Sequence, residues 1–296
     1  MRIYVMVLLS LWAGVAHATP DLSAAIENVR ATCGGIGAEL SDMKKMAGIT
    51  TAVTGVGTVA GGVALGTGLA KANVDKEIEA KEKLPMLTIE NEQVFRNELS
   101  TYAKSINKTA NKEIGLAEQK SKNLGNIRTG TLATATATNI AGAIMSSTNR
   151  VKGDLKQQID ECLASVKTLS NVRMQARISK TATDADLARA ENIIRACDAW
   201  TTVDVSSINN RSTGATVSAG IGAGLGLAGT ITSASANSKD VRDGGDDKEK
   251  KLNTAANVLA GGTTVAGLSA TIFNATQISA IKRAATVADE CEGALK

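Results

Sequence analysis

MAGITTAVTGVGTVAGGVALGTGLA, residues Met46 to Ala70, runs for 25 residues without one charged side chain. It carries no proline, and its length suits a helix better than a strand despite a glycine cost of up to about 1 kcal/mol per residue. Gly57-x-x-x-Gly61 and Gly62-x-x-x-Gly66 fall inside it. Glycines at i and i+4 share one helix face and let a second backbone come close. A helix with no charged face must be hidden on nearly all sides when it stands in water. The stretch is therefore expected either in lipid or in the middle of a tight bundle.

Three further stretches have the same character: Thr129 to Asn149, Ser212 to Ser238 and Leu252 to Ile281. The third contains Gly220-x-x-x-Gly224 and Gly222-x-x-x-Gly226. The expectation is an all-α chain in which Gly57, Gly61, Gly62, Gly66, Gly220, Gly222, Gly224 and Gly226 form helix-packing faces. Leu132 to Thr138 alternates small apolar residues with Thr and also reads as strand. The glycine spacing is similar to that of glycine-zipper membrane proteins over parts of the first and third stretches, and it carries no residue roles with it. Membrane lipid and self-association are the partners this implies. The segments have no aromatic belt and no clear positive-inside bias, so a soluble up-down bundle remains the alternative.

Working outward, residues 1–18 read as a signal peptide. Arg2 precedes an apolar run from Ile3 to about Val15, and Ala16-His17-Ala18 is a small-x-small cleavage site. Export would leave 296 − 18 = 278 residues with four cysteines, Cys33, Cys162, Cys197 and Cys291, suited to two disulfides in an oxidising compartment. No CxxC is present and no histidine would remain to activate a thiolate.

The cysteines also mark a tandem duplication. Glu27-Asn28-Val29 stands before Cys33 as Glu191-Asn192-Ile193 stands before Cys197, an offset of 164, and Asp160-Glu161-Cys162 matches Asp289-Glu290-Cys291 at an offset of 129. Two helical hairpins are expected. The first is repeat unit 19–170 with a long charged connector over 71–128. Linker 171–188 leads to the second, unit 189–296 with a short connector over 239–251. If each unit closes itself, the pairs are Cys33–Cys162 and Cys197–Cys291. Cross-half pairing, Cys33–Cys291 with Cys162–Cys197, respects the duplication equally well.

In the long connector, Lys71 to Lys83 extends the first uncharged helix. A second helix is expected from about Thr88 to Lys122 after the break at Pro85. Phe95, Leu99, Tyr102 and Ile106 fall at heptad-like spacing and mark a packing face or a partner-docking face. Thr183 with Asp186 three residues on reads as a helix cap.

Catalytic machinery is not visible. Gly224-x-Gly226-x-x-Gly229 matches a dinucleotide fingerprint literally, but only Gly and Ala-rich sequence precedes it where a strand is required. Asp243-Gly-Gly-Asp246-Asp247 lacks the ligand spacing of a calcium loop. The only histidine is His17, so His-based zinc and Ser-His-Asp sites are excluded from the cleaved chain. The net charge of +4 argues neither for nor against anionic partners, but without aromatic platforms or a basic stripe nucleic-acid binding is not expected. No cofactor and no metal is expected. The reading is a non-enzymatic envelope protein, structural or pore-like, in or on a membrane. A soluble secreted or periplasmic bundle used for binding or scaffolding is the alternative, its protein partner unspecified.

Overall fold

A computed structural model of the chain describes residues 21–82, 95–238, 241 and 246–296, without the side chains of 95–103 and 246. The expected signal peptide, Pro85 and most of the Asp243 motif lie outside the described residues. Among the described residues the secondary structure is entirely helical. α1 spans Leu22–Cys33, α2 Ile36–Glu82, α3 Phe95–Thr148, α4 Gly153–Ser179 and α5 Asp184–Asp198. A short 3-10 turn follows at Ala199–Thr202, then α6 over Val205–Ala236 and α7 over Asp246–Leu295. Leu132 to Thr138, the stretch with strand character, lies inside α3.

Local signals explain the breaks. Asp21 caps α1 by accepting from the Ser23 amide at 2.9 Å. Gly35, at φ +86°, makes the turn into α2 that a residue with a Cβ rarely adopts. Lys180 closes α4 in the left-handed region. Three residues later Thr183 caps α5, accepting from the Asp186 amide at 3.2 Å while its hydroxyl donates to the Asp186 carboxylate at 2.6 Å. Residues 171–179 of the expected linker simply continue α4.

The described chain divides into two compact units that cut across the sequence halves. One gathers residues 21–46, Arg150–Asn210 and Gln277–Lys296; the other gathers Ala47–Asn149 and Arg211–Thr276. Their interiors differ in kind.

The first unit has an ordinary aliphatic core: Ile26, Val29, Ile36, Leu40, Leu155, Ile159, Leu169, Ile193, Trp200 and Ile281 are all buried. Both disulfides lie here. Cys33 of α1 joins Cys162 of α4, and Cys197 of α5 joins Cys291 of α7. Loops of 129 and 94 residues are closed, which in a chain-entropy model removes about 4–5 kcal/mol each from the unfolded state. Gly37 donates its amide to the Glu292 carboxylate at 3.1 Å, tying the start of α2 to the end of α7.

The second unit is built on four heptad seams. Buried positions alternate by three and four along α2 (47, 50, 54, 57, 61, 64, 68, 71) and α3 (125, 128, 132, 135, 139, 142, 146, 149). They do the same along α6 (212, 215, 219, 222, 226, 229, 233, 236) and α7 (253, 256, 260, 263, 267, 270, 274), where the spacing runs on to 277, the first residue of α7 that belongs to the first unit. That spacing is the knobs-into-holes period of a left-handed bundle. Its occupants are small or polar: Gly, Ala, Ser, Thr and Asn, with Lys71, Arg128, Leu132 and Gln277 the only large ones.

The α6 seam repeats the α2 seam at 212 − 47 = 165, and the α7 seam repeats the α3 seam at 253 − 125 = 128. Both differ by one residue from the offsets set by the cysteines. The connections between cysteine and bundle are unlike: Gly34-Gly35 turns the chain after α1, a 3-10 turn follows α5, and a break follows Thr148 where α7 runs on without one.

Candidate functional site

Among the described residues, nineteen of the twenty-two large apolar side chains that stand exposed belong to the second unit, including Val59, Val63, Ile140, Ile144, Val217, Ile221, Val258, Val265 and Ile272. Val59 and Val265 are 68% and 66% exposed, while Thr54, Asn139, Ser212, Ser233 and Asn274 are fully buried. The uncharged helices thus carry aliphatic residues outside and hydroxyls, amides and bare backbone inside, the reverse of a water-soluble bundle.

Polar groups link the seams. Ser146 donates to Asn274 Oδ1 at 3.1 Å, and Thr58 Oγ1 lies 3.3 Å from Thr271 Oγ1. Arg128 is fully buried and donates to Ser233 Oγ at 2.8 Å, Asn253 Oδ1 at 2.7 Å and Asn257 Oδ1 at 3.2 Å. Lys71, also buried, bridges Asp75 at 2.7 Å and Glu249 at 2.8 Å. Outward hydroxyls return to their own helix: Thr134 donates to the Gly130 carbonyl, Thr67 to Val63 and Thr232 to Ala228. Such back-bonding leaves those hydroxyls without need of water.

The expected glycine faces separate into two groups. A Cβ at Gly57 would stand 2.6 Å from Thr138 Oγ1, one at Gly61 2.9 Å from Thr264 Oγ1, one at Gly222 2.8 Å from Asn139 Nδ2 and one at Gly226 2.5 Å from Thr136 Oγ1. These four let neighbouring helices close. At Gly62, Gly66, Gly220 and Gly224 a Cβ would meet nothing within 4 Å, so the expected packing role finds no contact there. The seams explain the split: Gly57, Gly61, Gly222 and Gly226 stand on buried seam positions, and the other four lie off them. Gly68, Gly125 and Gly142, not singled out in the sequence, are also close-approach positions, against Asn257, Asn237 and Thr54.

Of the aromatic seam, Phe95, Leu99 and Tyr102 lie on α3 with side chains outside the described set, and Ile106 is 39% exposed. The literal dinucleotide fingerprint lies in the interior of α6 with helix on both sides, so the strand-turn-helix that a pyrophosphate needs is not formed. In the first unit a cleft of about 460 Å³ is lined by Asp21, Glu27, Asp186 and Arg189 among others. Asp21 and Asp186 are occupied with helix caps there. The sulfurs of Cys33, Cys162 and Cys291 lie within 4.8 Å of one another, all consumed in disulfides.

Among the described residues, three helical stretches are long and apolar enough to cross a membrane: Leu22–Glu82, Asp184–Ala236 and Asp247–Leu295. In the most apolar part of each, only 28%, 28% and 33% of residues are buried, so that apolarity is directed outward. No family model, curated protein or solved structure matches the chain.

Proposed function

We propose that this chain is an exported, non-enzymatic envelope protein whose second unit is embedded in a membrane as a four-helix bundle, with a structural or pore-like role. One observation carries the reading: the outward face of that unit is Val, Ile and Leu while its seams are Gly, Ala, Ser, Thr and Asn. In lipid, helices associate through small residues and interhelical hydrogen bonds rather than through large apolar side chains.

Two further features support it. The shortest uncharged stretch has 21 residues, about 31 Å of helix at 1.5 Å per residue, close to the hydrocarbon thickness of a bilayer. Exposed cations stand at an end of three of the stretches: Lys45, Arg150, and Lys251 with Lys282. Long cationic side chains at helix ends reach into the headgroup layer. Four crossings return the chain to the side on which it began, placing all four cysteines in one oxidising compartment. A tandem duplication of a helical hairpin would generate this topology directly, and the signal-like residues 1–18 would deliver it.

Alkaline carbonate and detergent extraction of the expressed chain tests the reading. Retention through carbonate and release by detergent is the expected result; full release into the soluble fraction defeats it. That second outcome favours an exported soluble bundle serving as a binding or scaffold module through the exposed part of α3. This alternative draws on the fact that α3 is not among the stretches apolar enough to span.

A further inference from the structure

The two disulfides of the first unit stand side by side. The sulfurs of Cys33, Cys162 and Cys291 lie within 4.8 Å of one another, so Cys291, bonded to Cys197, borders both sulfurs of the other bridge. Cys197 stands outside this group. The duplication makes Cys33 and Cys197 counterparts, as it does Cys162 and Cys291. The packing treats the first pair differently: Cys33 sits among the three close sulfurs and Cys197 does not.

Disulfides exchange when a thiolate attacks a disulfide sulfur, so the reaction depends on the thiolate and on its access to that sulfur. All four cysteines are buried, which holds bulk thiols away and leaves access between the bridges to the fold itself. Attack on Cys197 opens the Cys197–Cys291 bridge and expels Cys291 as a thiolate, the nucleophilic form, already beside Cys33 and Cys162. Attack on Cys291 instead expels Cys197, which lies outside the group.

We propose that the two bridges are one exchangeable redox unit in which Cys291 is the shared sulfur. A small dithiol reaches Cys197 by local opening of the unit. Its first sulfur bonds to Cys197 and breaks the Cys197–Cys291 bond. Its second sulfur then displaces Cys197 as a thiol and closes the reductant's own disulfide. The Cys291 thiolate attacks Cys162 or Cys33, the Cys33–Cys162 bond breaks, and the expelled sulfur takes up a proton. One dithiol is oxidised and the chain gains two thiols. Partial reduction thereby re-ties α7 to α4 or α1 rather than leaving it without a bridge. The exchange lies wholly in the first unit and stands whether the second is in lipid or in water.

The test uses the full chain, in detergent micelles or in buffer. The wild-type chain is treated with limiting dithiothreitol, quenched in acid, alkylated and mapped by mass spectrometry. Chains that keep a single bridge should include some in which Cys291 is joined to Cys33 or Cys162. Single-bridge chains holding only Cys33–Cys162 or Cys197–Cys291 overturn the proposal. Two variants held in mildly alkaline buffer check the part given to Cys291. Cys197→Ser, which frees Cys291, should form non-native bridges several-fold more often than Cys291→Ser, which frees Cys197. Equal amounts in the two folded variants overturn the assignment. Unchanged helical circular dichroism serves as the folding check, and if either variant does not fold, partial reduction of the wild-type chain decides.

Discussion

Arg128 Nη2 donates to Asn253 Oδ1 across 2.7 Å, joining α3 to α7 inside the second unit. The same guanidinium reaches Ser233 of α6, so one side chain fastens three helices. As a guanidinium the group is a cation at any ordinary pH. Arg128→Ala should lower stability by about 1–3 kcal/mol for each acceptor left without a donor. Arg128→Lys should fall between, since an ammonium lacks the planar fork. Thermal or SDS-titrated unfolding followed by circular dichroism measures both. Equal stability of all three proteins would contradict the clamp.

The glycines give a prediction with two signs. Gly222→Ala and Gly57→Ala drive a methyl into Asn139 and Thr138, and overpacking of this kind costs about 1–3 kcal/mol. Gly62→Ala and Gly220→Ala meet open space and should stabilise their helices by up to about 1 kcal/mol through propensity. The same unfolding measurement compares the four. A uniform effect would show that the register described above is wrong.

Reading that register from sequence alone was not possible, for a physical reason. The helical class was legible at Met46–Ala70 because length, absence of proline and absence of charge leave few other states for such a run. The seam was not, because large apolar residues normally mark the buried stripe and here Val59 and Val63 point outward. The usable signal was Gly, Ala, Ser, Thr and Asn recurring by threes and fours, as in Ser212-Ala215-Ala219-Gly222-Gly226. Glycine pairs one residue out of phase, Gly62 and Gly66, mimic it. The cap at Thr183 was simpler, since Thr-x-x-Asp acts locally, whereas the Gly34-Gly35 break between α1 and α2 was not singled out.

Outward valines should tolerate charge in water and refuse it in lipid. Val59→Lys with Val265→Lys places two ammonium groups on the exposed face of the second unit. At about 2.5–3.5 kcal/mol per charge near the centre of a spanning helix, the double variant should lose membrane integration, measured by its share of the carbonate-resistant fraction. In a soluble bundle the same pair would leave yield and helicity unchanged.

Disulfide mapping checks the first unit. Non-reducing digestion and mass spectrometry should recover Cys33 with Cys162 and Cys197 with Cys291. Removing the first bridge as Cys33→Ala with Cys162→Ala should cost about 2–5 kcal/mol. Recovery of Cys33 linked to Cys291 would contradict the arrangement.

The membrane placement of the second unit is tested most directly by nitroxide labels at Val59, Val217 and Val265 in the reconstituted full chain, with collision rates to oxygen and to a water-soluble nickel chelate compared. Oxygen, enriched in the bilayer interior, should reach all three labels far more readily than the chelate does. Labels freely struck by the chelate would place that face in water and contradict the membrane-embedded bundle.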